Sequence, residues 1–137
     1  MRKMALDYGD VRIGIAFSDL LNIIANGYET YTRKGLQEDI EYLANLVKEK
    51  DVDTIILGLP INMDGTEGER AMVTREFGTL LAQRTSLPVK YLDERLTSAS
   101  AERMLIEADM RREKRKQVID KVSATIILQN YLDMYSK

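Results

Sequence analysis

The run Thr54-Ile55-Ile56-Leu57-Gly58-Leu59 is almost wholly apolar and rich in β-branched residues, and Pro60 follows it at once. A strand with one wet face alternates apolar and polar residues, whereas an unbroken apolar run leaves no side for water. This segment is therefore expected to be a central strand covered on both faces. Whatever the chain folds into must place a layer on either side of it.

The flanking sequence supplies those layers. Met4 to Leu6 and Arg12 to Phe17 are short apolar segments separated by Asp7-Tyr8-Gly9-Asp10-Val11. Gly9 and Asp10 are turn formers, so the pair reads as a hairpin. A third strand is expected around Tyr28 to Thr32, where Tyr and Thr alternate with polar residues. Leu36, Ile40, Leu43 and Val47 then repeat at helical spacing up to about Lys50. Beyond Pro60, Asn62-Met63-Asp64-Gly65-Thr66 reads as a loop. Thr66 and Glu69 have the spacing of a capping box, and Val73, Phe77, Leu80 and Leu81 would be the buried stripe of the helix after it. Val89 to Leu92 is a further short strand, followed by a helix with Ala101, Met104, Leu105 and Ala108 inward. The basic stretch Arg111 to Lys116 leads to a last helix from about Val118 to Tyr135. The order β-β-β-α-β-α-β-α-α implies an α/β fold, a mixed sheet with helices on both faces. At 137 residues, 1–137 is expected to be a single domain.

The 137 residues include no Cys and no His, which removes disulfides, thiolate chemistry and the usual Zn²⁺ sites. Acid–base or metal chemistry must then rest on carboxylates, Lys, Tyr or backbone groups, and hard oxygen ligands suit Mg²⁺ or Mn²⁺. A net charge of −2 does not advertise a nucleic-acid binder, although a local basic patch can supply phosphate contacts. No apolar run is long enough to span a bilayer, and Asp7 interrupts any signal-peptide core after Met1-Arg2-Lys3. A cytoplasmic protein without a membrane partner is expected.

Three acidic positions could carry chemistry. Asp7 ends an apolar strand just before the hairpin turn, held by a rigid element yet exposed at the sheet edge. Asp93-Glu94-Arg95 ends the strand from Val89. Asp120 lies early in the last helix, where small Ser123 and Ala124 would let that helix approach the sheet. A turn, a surface ion pair and a helix start would use the same residues singly. Acids at the ends of two strands and a helix are together what a two-metal phosphodiesterase needs, with two Mg²⁺ ions roughly 3.5–4 Å apart.

The opening Ala5-Leu6-Asp7-Tyr8-Gly9-Asp10-Val11-Arg12-Ile13-Gly14-Ile15-Ala16 closely resembles that of the YqgF family, also called RuvX. Gly58-Leu59-Pro60-Ile61-Asn62-Met63-Asp64-Gly65-Thr66, Asp93-Glu94-Arg95-Leu96-Thr97-Ser98 and Asp120-Lys121-Val122-Ser123-Ala124 match in the same order, and the last continues into Ile126-Ile127-Leu128-Gln129. Ser123 stands where Ala is common in the family. The resemblance implies an RNase H-like fold with a mixed five-stranded sheet. It also implies a nuclease that processes the 5′ end of pre-16S ribosomal RNA or resolves Holliday junctions. It carries over Asp7, Glu94 and Asp120 as the acidic, metal-binding triad, with Asp93 as the alternative to Glu94. Strand alternation leaves that choice open, because Tyr91 and Leu92 are both apolar; the longer reach of Glu94 at the strand end favours it.

The expected partner is nucleic acid, precursor rRNA or branched DNA. Arg111, Arg112, Lys114, Arg115 and Lys116 lie just before Asp120, where they would bind phosphates. Arg12, Arg95 and Asn62 are further candidates for contact with the backbone. Symmetric cutting of a junction would require a homodimer, whereas trimming RNA would not. Two other classes compete. Sugar kinases and related ATPases open with a similar hairpin but need a second domain, which leaves too little chain here. A noncatalytic RNA-binding module would have no use for the three acids.

Overall fold

The computed structural model describes residues 1–94 and 112–135, with side chains of the last helix described from 121 onward. Strands β1 (Arg2–Tyr8) and β2 (Arg12–Ser18) form the expected hairpin, with β1 longer at both ends than its apolar core and β2 extended to Ser18. Its turn closes through the Gly9 N–H, which donates to the Arg12 carbonyl at 3.0 Å. A Cβ at Gly9 would sit 2.7 Å from that carbonyl oxygen, so the turn requires glycine. Strand β3 (Ala25–Thr32) begins earlier than expected and is followed by helix α1 (Leu36–Glu49), strand β4 (Val52–Leu59), helix α2 (Glu69–Thr85) and strand β5 (Val89–Asp93). Helix α3 (Arg112–Tyr135) closes the described chain.

The five strands run in the order β3-β2-β1-β4-β5. β1 pairs antiparallel with β2 and parallel with β4, and β4 pairs parallel with β5. The run that demanded cover on both faces is β4, and it has that cover. Ile55 and Leu57 enter a large cluster with Met4, Leu6, Leu43, Val47, Phe77 and Leu81, on the side of α1 and α2. Ile56 points the other way, into a cluster with Ala5, Ala16, Ala124, Ile127 and Leu128 under α3. The second layer is built on alanines, and small side chains let helix and sheet lie close. At Gly27 a Cβ would come within 2.9 Å of both Lys121 Cγ and Thr125 Oγ1. Ser123 and Ala124 are both buried, as the small-residue reading of this helix required.

Helix α2 departs from the sequence reading in two ways. Its N-cap is Gly68, with no side-chain cap, rather than Thr66. The Thr66 hydroxyl is held in the preceding loop, donating to Asp64 Oδ1 at 2.6 Å and accepting from Asn62 Nδ2 at 3.1 Å. The buried face is Ala71, Thr74, Phe77, Gly78 and Leu81, while Val73 and Leu80 are 37% and 39% exposed. The helix is rotated because Tyr91 and Leu57 press against it, with the Tyr91 hydroxyl 2.2 Å from where a Gly78 Cβ would lie. Phe77 and Leu81 are buried as expected, while Ala71, Thr74 and Gly78 take the inner positions beside them and Val73 and Leu80 turn outward.

Helix α3 also differs, starting by Arg112 rather than near Val118. Arg112, Lys114, Arg115 and Lys116 therefore belong to the helix itself. The expected helix around Ala101 to Ala108, and Arg95, Thr97, Ser98 and Arg111, lie outside the described residues.

Candidate active site

Asp7 is the penultimate residue of β1, a strand with partners on both sides. It is half-buried rather than exposed at an edge, because β1 lies in the middle of the sheet. It pairs across the hairpin with Gly14. Ala5 packs under α3, so Asp7, two residues on, projects from that same face.

Glu94 follows β5 directly and reaches the same place. Leu92 packs with the cluster beneath α3, whereas Tyr91 packs on the opposite face with α1 and α2. Glu94 shares the side of Leu92 and lies over the backbone of Gly58, where a Cβ would meet its Cγ and Oε1 at 3.0 Å. The Glu94 and Asp7 carboxyls are hydrogen-bonded to each other. Burial, then the hydrogen bond and the like charge of Glu94, push the Asp7 carboxyl up to about 9, against the opposing pull of Arg70. Asp93 lies elsewhere, lining a separate hollow with Leu92 and with Asn130, Asp133 and Met134 of α3.

Asp120 is in α3, well inside the helix rather than in its first turn, so the helix dipole offers it little. Its side chain, like those of Arg112, Lys114, Arg115 and Lys116, lies outside the described residues. Among the described residues, no group of three potential metal-ligating side chains forms. The acids brought together there are Asp7 and Glu94.

The surroundings are held by two arginines that the sequence reading did not single out. Arg70, in the first turn of α2, donates to the Tyr8 carbonyl at 3.1 Å and pairs with the Asp10 carboxylate on the hairpin turn. Arg33 donates to the Gly9 carbonyl at 3.2 Å, lies over the Tyr8 ring, and pairs with Asp39 at 2.8 Å. Asp39 is fully buried at the start of α1 and also accepts from the Lys34 N–H at 2.9 Å. Burial opposes its charge, but Arg33 and these neighbours outweigh it and hold the carboxyl below its usual range. Two guanidinium groups, Arg70 of α2 and Arg33 of the loop between β3 and α1, thus fix the turn that follows Asp7. Both contacts span long sequence separations, and no local pattern announces them.

Of the other candidates, Arg12 opens β2 and its carbonyl closes the hairpin turn. Asn62 is exposed, but its amide organises the loop: its backbone N–H donates to the Thr66 carbonyl at 2.9 Å, and its carbonyl accepts from Gly65 at 2.9 Å. No helix among the described residues is long and apolar enough to cross a membrane.

Solved structures share this architecture. RuvC of T. thermophilus bound to a Holliday junction aligns with a TM-score of 0.62 at 10% identity, covering 99% of this chain and 96% of that one. The fowlpox virus resolvase in complex with Holliday junction DNA also gives 0.62, at 12% identity over the whole of both chains. At such identities the likeness shows the fold, which is RNase H-like. Sequence relatives are nearer. A Syntrophomonas wolfei protein named "Putative pre-16S rRNA nuclease" is 52% identical over 97% of this chain and 94% of its own length. A protein of the same name from Halothermothrix orenii is 53% identical over 100% of this chain and 98% of its own. The model of the RuvX family, described as Holliday junction resolvase, matches residues 1–134, and the chain belongs to that family.

Proposed function

We propose that this protein is a Mg²⁺- or Mn²⁺-dependent nuclease that hydrolyses phosphodiester bonds in precursor 16S rRNA, with Asp7, Glu94 and Asp120 as its metal-binding acids. One observation carries the reading: the half-buried Asp7 carboxyl is held against Glu94. Two such groups in one place repel when both are ionised, and a bound cation would relieve that repulsion. The donors are all hard oxygens, which fit Mg²⁺ or Mn²⁺. When bound, such ions supply positive charge that polarises the scissile phosphate and favours the attacking and leaving oxygens.

The chain's own residues perform the rest. Asp7 would hold the cation together with Glu94, and β1 keeps its carboxylate in place through pairing on both sides. Glu94 is oriented by the floor that Gly58 leaves open and by Ile127 beside it. Helix α3 carries Asp120, and its buried Ser123 and Ala124 let the helix lie on the sheet. Arg12, Arg95 and the basic turns of α3 bind backbone phosphates, while Asn62 shapes the loop beside them.

The names of the curated relatives support the rRNA substrate. A second reading, cleavage of four-way DNA junctions, draws on the description of the family model and would require a homodimer for symmetric cuts. Purified protein is to be incubated with Mg²⁺ and either an RNA carrying the 5′ flank of 16S rRNA or a synthetic four-way junction. Cleavage of the RNA, lost in Asp7→Asn, is expected. Cleavage of the junction alone would move the assignment to the second reading, and cleavage of neither would leave a noncatalytic binder.

A further inference from the structure

Arg70 differs from the other paired arginines described here. Arg33 is mostly buried, and its partner Asp39 is wholly so. Arg75 and Arg84 make two-pronged pairs with Glu67 and Glu41 on the helical surface. Arg70 instead has one amino group fixed by the Tyr8 carbonyl, the residue next to Asp7, and the other on Asp10, whose side chain is 81% exposed. The first contact sets where the guanidinium sits. The second is with a solvated carboxylate on a turn, the kind of pair that exchanges at little cost.

A carboxylate and a phosphodiester present the same pair of anionic oxygens to an arginine. Arg70 is close enough to the acidic pair for its charge to act on Asp7. We infer that Arg70 is a phosphate-binding residue of this site and that Asp10 occupies its phosphate position until a nucleic-acid backbone displaces it. The inference rests on the nuclease reading for its ligand class. The phosphate concerned flanks the reacting one, because Arg70 is anchored beyond Asp7 at Tyr8. Asp10 then acts as a competitor built into the β1–β2 turn: it weakens binding of any polyanion and keeps the guanidinium aligned in its absence.

The test is equilibrium binding in chelator, so that nothing is cut, using a labelled single-stranded RNA of the 16S 5′ flank and a labelled four-way DNA junction. Wild type, Asp10→Asn, Arg70→Ala, Arg70→Lys and the double variant Asp10→Asn/Arg70→Ala are compared over a salt series. Asp10→Asn should tighten binding several-fold, and Arg70→Ala should weaken it about tenfold with a salt slope smaller by about one. Arg70→Lys should fall between them, since it keeps the charge and loses the fork. In the Arg70→Ala background, Asp10→Asn should have no further effect. A gain that persists there would show general charge removal and overturn the inference, as would an Asp10→Asn variant that binds like wild type. Those results leave the nuclease reading intact, whereas failure of wild type to bind either probe removes that reading and this one with it.

Discussion

Glu94 lies so close over Gly58 that a Cβ at residue 58 would come within 3.0 Å of its Cγ and Oε1, and within 2.5 Å of Ile127 Cδ1. The interior strand β4 therefore contributes to the acidic site by having no side chain at one point. Gly58 is also opposite Leu92 in the ladder with β5, so the gap is placed by strand register. Two elements meet over it: the end of β5 carrying Glu94, and α3 carrying Ile127.

Gly58→Ala should accordingly disturb Glu94 and Ile127 together. Overpacking of this kind costs about 1–3 kcal/mol, and the Ile127 methyl can move more readily than backbone. The variant is expected to fold, with a midpoint of thermal unfolding lower by several degrees and turnover reduced at least tenfold as Glu94 is pushed from Asp7. Thermal melts and cleavage rates on one preparation check this. Full activity with a lowered midpoint would mean that the position of Glu94 is not critical.

The raised Asp7 carboxyl predicts a pH dependence in the absence of metal. An unfolded chain releases this proton near pH 4, whereas the folded protein holds it up to about 9. Stability should therefore fall as pH rises through this interval and level off above it, because the unfolded state is the one that loses the proton. Asp7→Asn should flatten that dependence and be more stable than wild type at pH 8, by on the order of 2 kcal/mol after allowance for solvent screening. Chemical denaturation in chelator at several pH values measures it. Equal slopes for the two proteins would show that burial and Glu94 do not raise the Asp7 carboxyl.

How much of this was legible in the sequence depends on whether the information was local. The hairpin, β4 and α1 are written in apolar runs and helical spacing, and they appear where those patterns placed them. In helix α2 the periodicity placed Phe77 and Leu81 correctly but not Val73 and Leu80, because Tyr91 and Leu57 crowd the inner face at Gly78, which apolar spacing cannot reveal. The starting point of α3 was misread because charged residues serve equally well in a loop or an exposed helical turn. At the site, Asp7 and Glu94 were both named, but alternation along Tyr91 and Leu92 could not decide between Asp93 and Glu94. Which of them shares the face of Leu92 and Asp7 depends on which apolar neighbour packs under α3, a tertiary fact. The roles of Arg70 and Arg33 are not legible along the chain because the hairpin carbonyls they hold, those of Tyr8 and Gly9, are distant from them in sequence.

Metal dependence follows from the same carboxyl pair. Cleavage should require Mg²⁺ or Mn²⁺ and cease in excess chelator. Added Mg²⁺ should also raise the thermal midpoint of wild type at pH 8, since a ligand that binds the folded state stabilises it. That shift should vanish in Asp7→Asn and shrink in Glu94→Gln, while Asp93→Asn should retain both the shift and the activity. An inactive Asp93→Asn beside an active Glu94→Gln would transfer the second carboxylate to Asp93.

The basic turns of α3 provide the last prediction. Arg112, Lys114, Arg115 and Lys116 fall within a continuous helix that runs on to the residues packed against the sheet. Charges on one helix keep fixed spacing, and they can track a phosphate backbone without the ordering cost that a loop would incur. Neutralising these four together with Arg111 should weaken binding of RNA or junction DNA and flatten its salt dependence, each lost phosphate contact removing about 0.7–0.9 from the slope. Turnover at saturating substrate should change little, since these residues hold the backbone and do not ligate metal. Binding isotherms from low to moderate salt, set beside single-turnover rates, separate the two effects. An unchanged slope would reduce the segment to a solvated helical surface, and a loss of turnover at saturation would place one of these cations at the reacting phosphate.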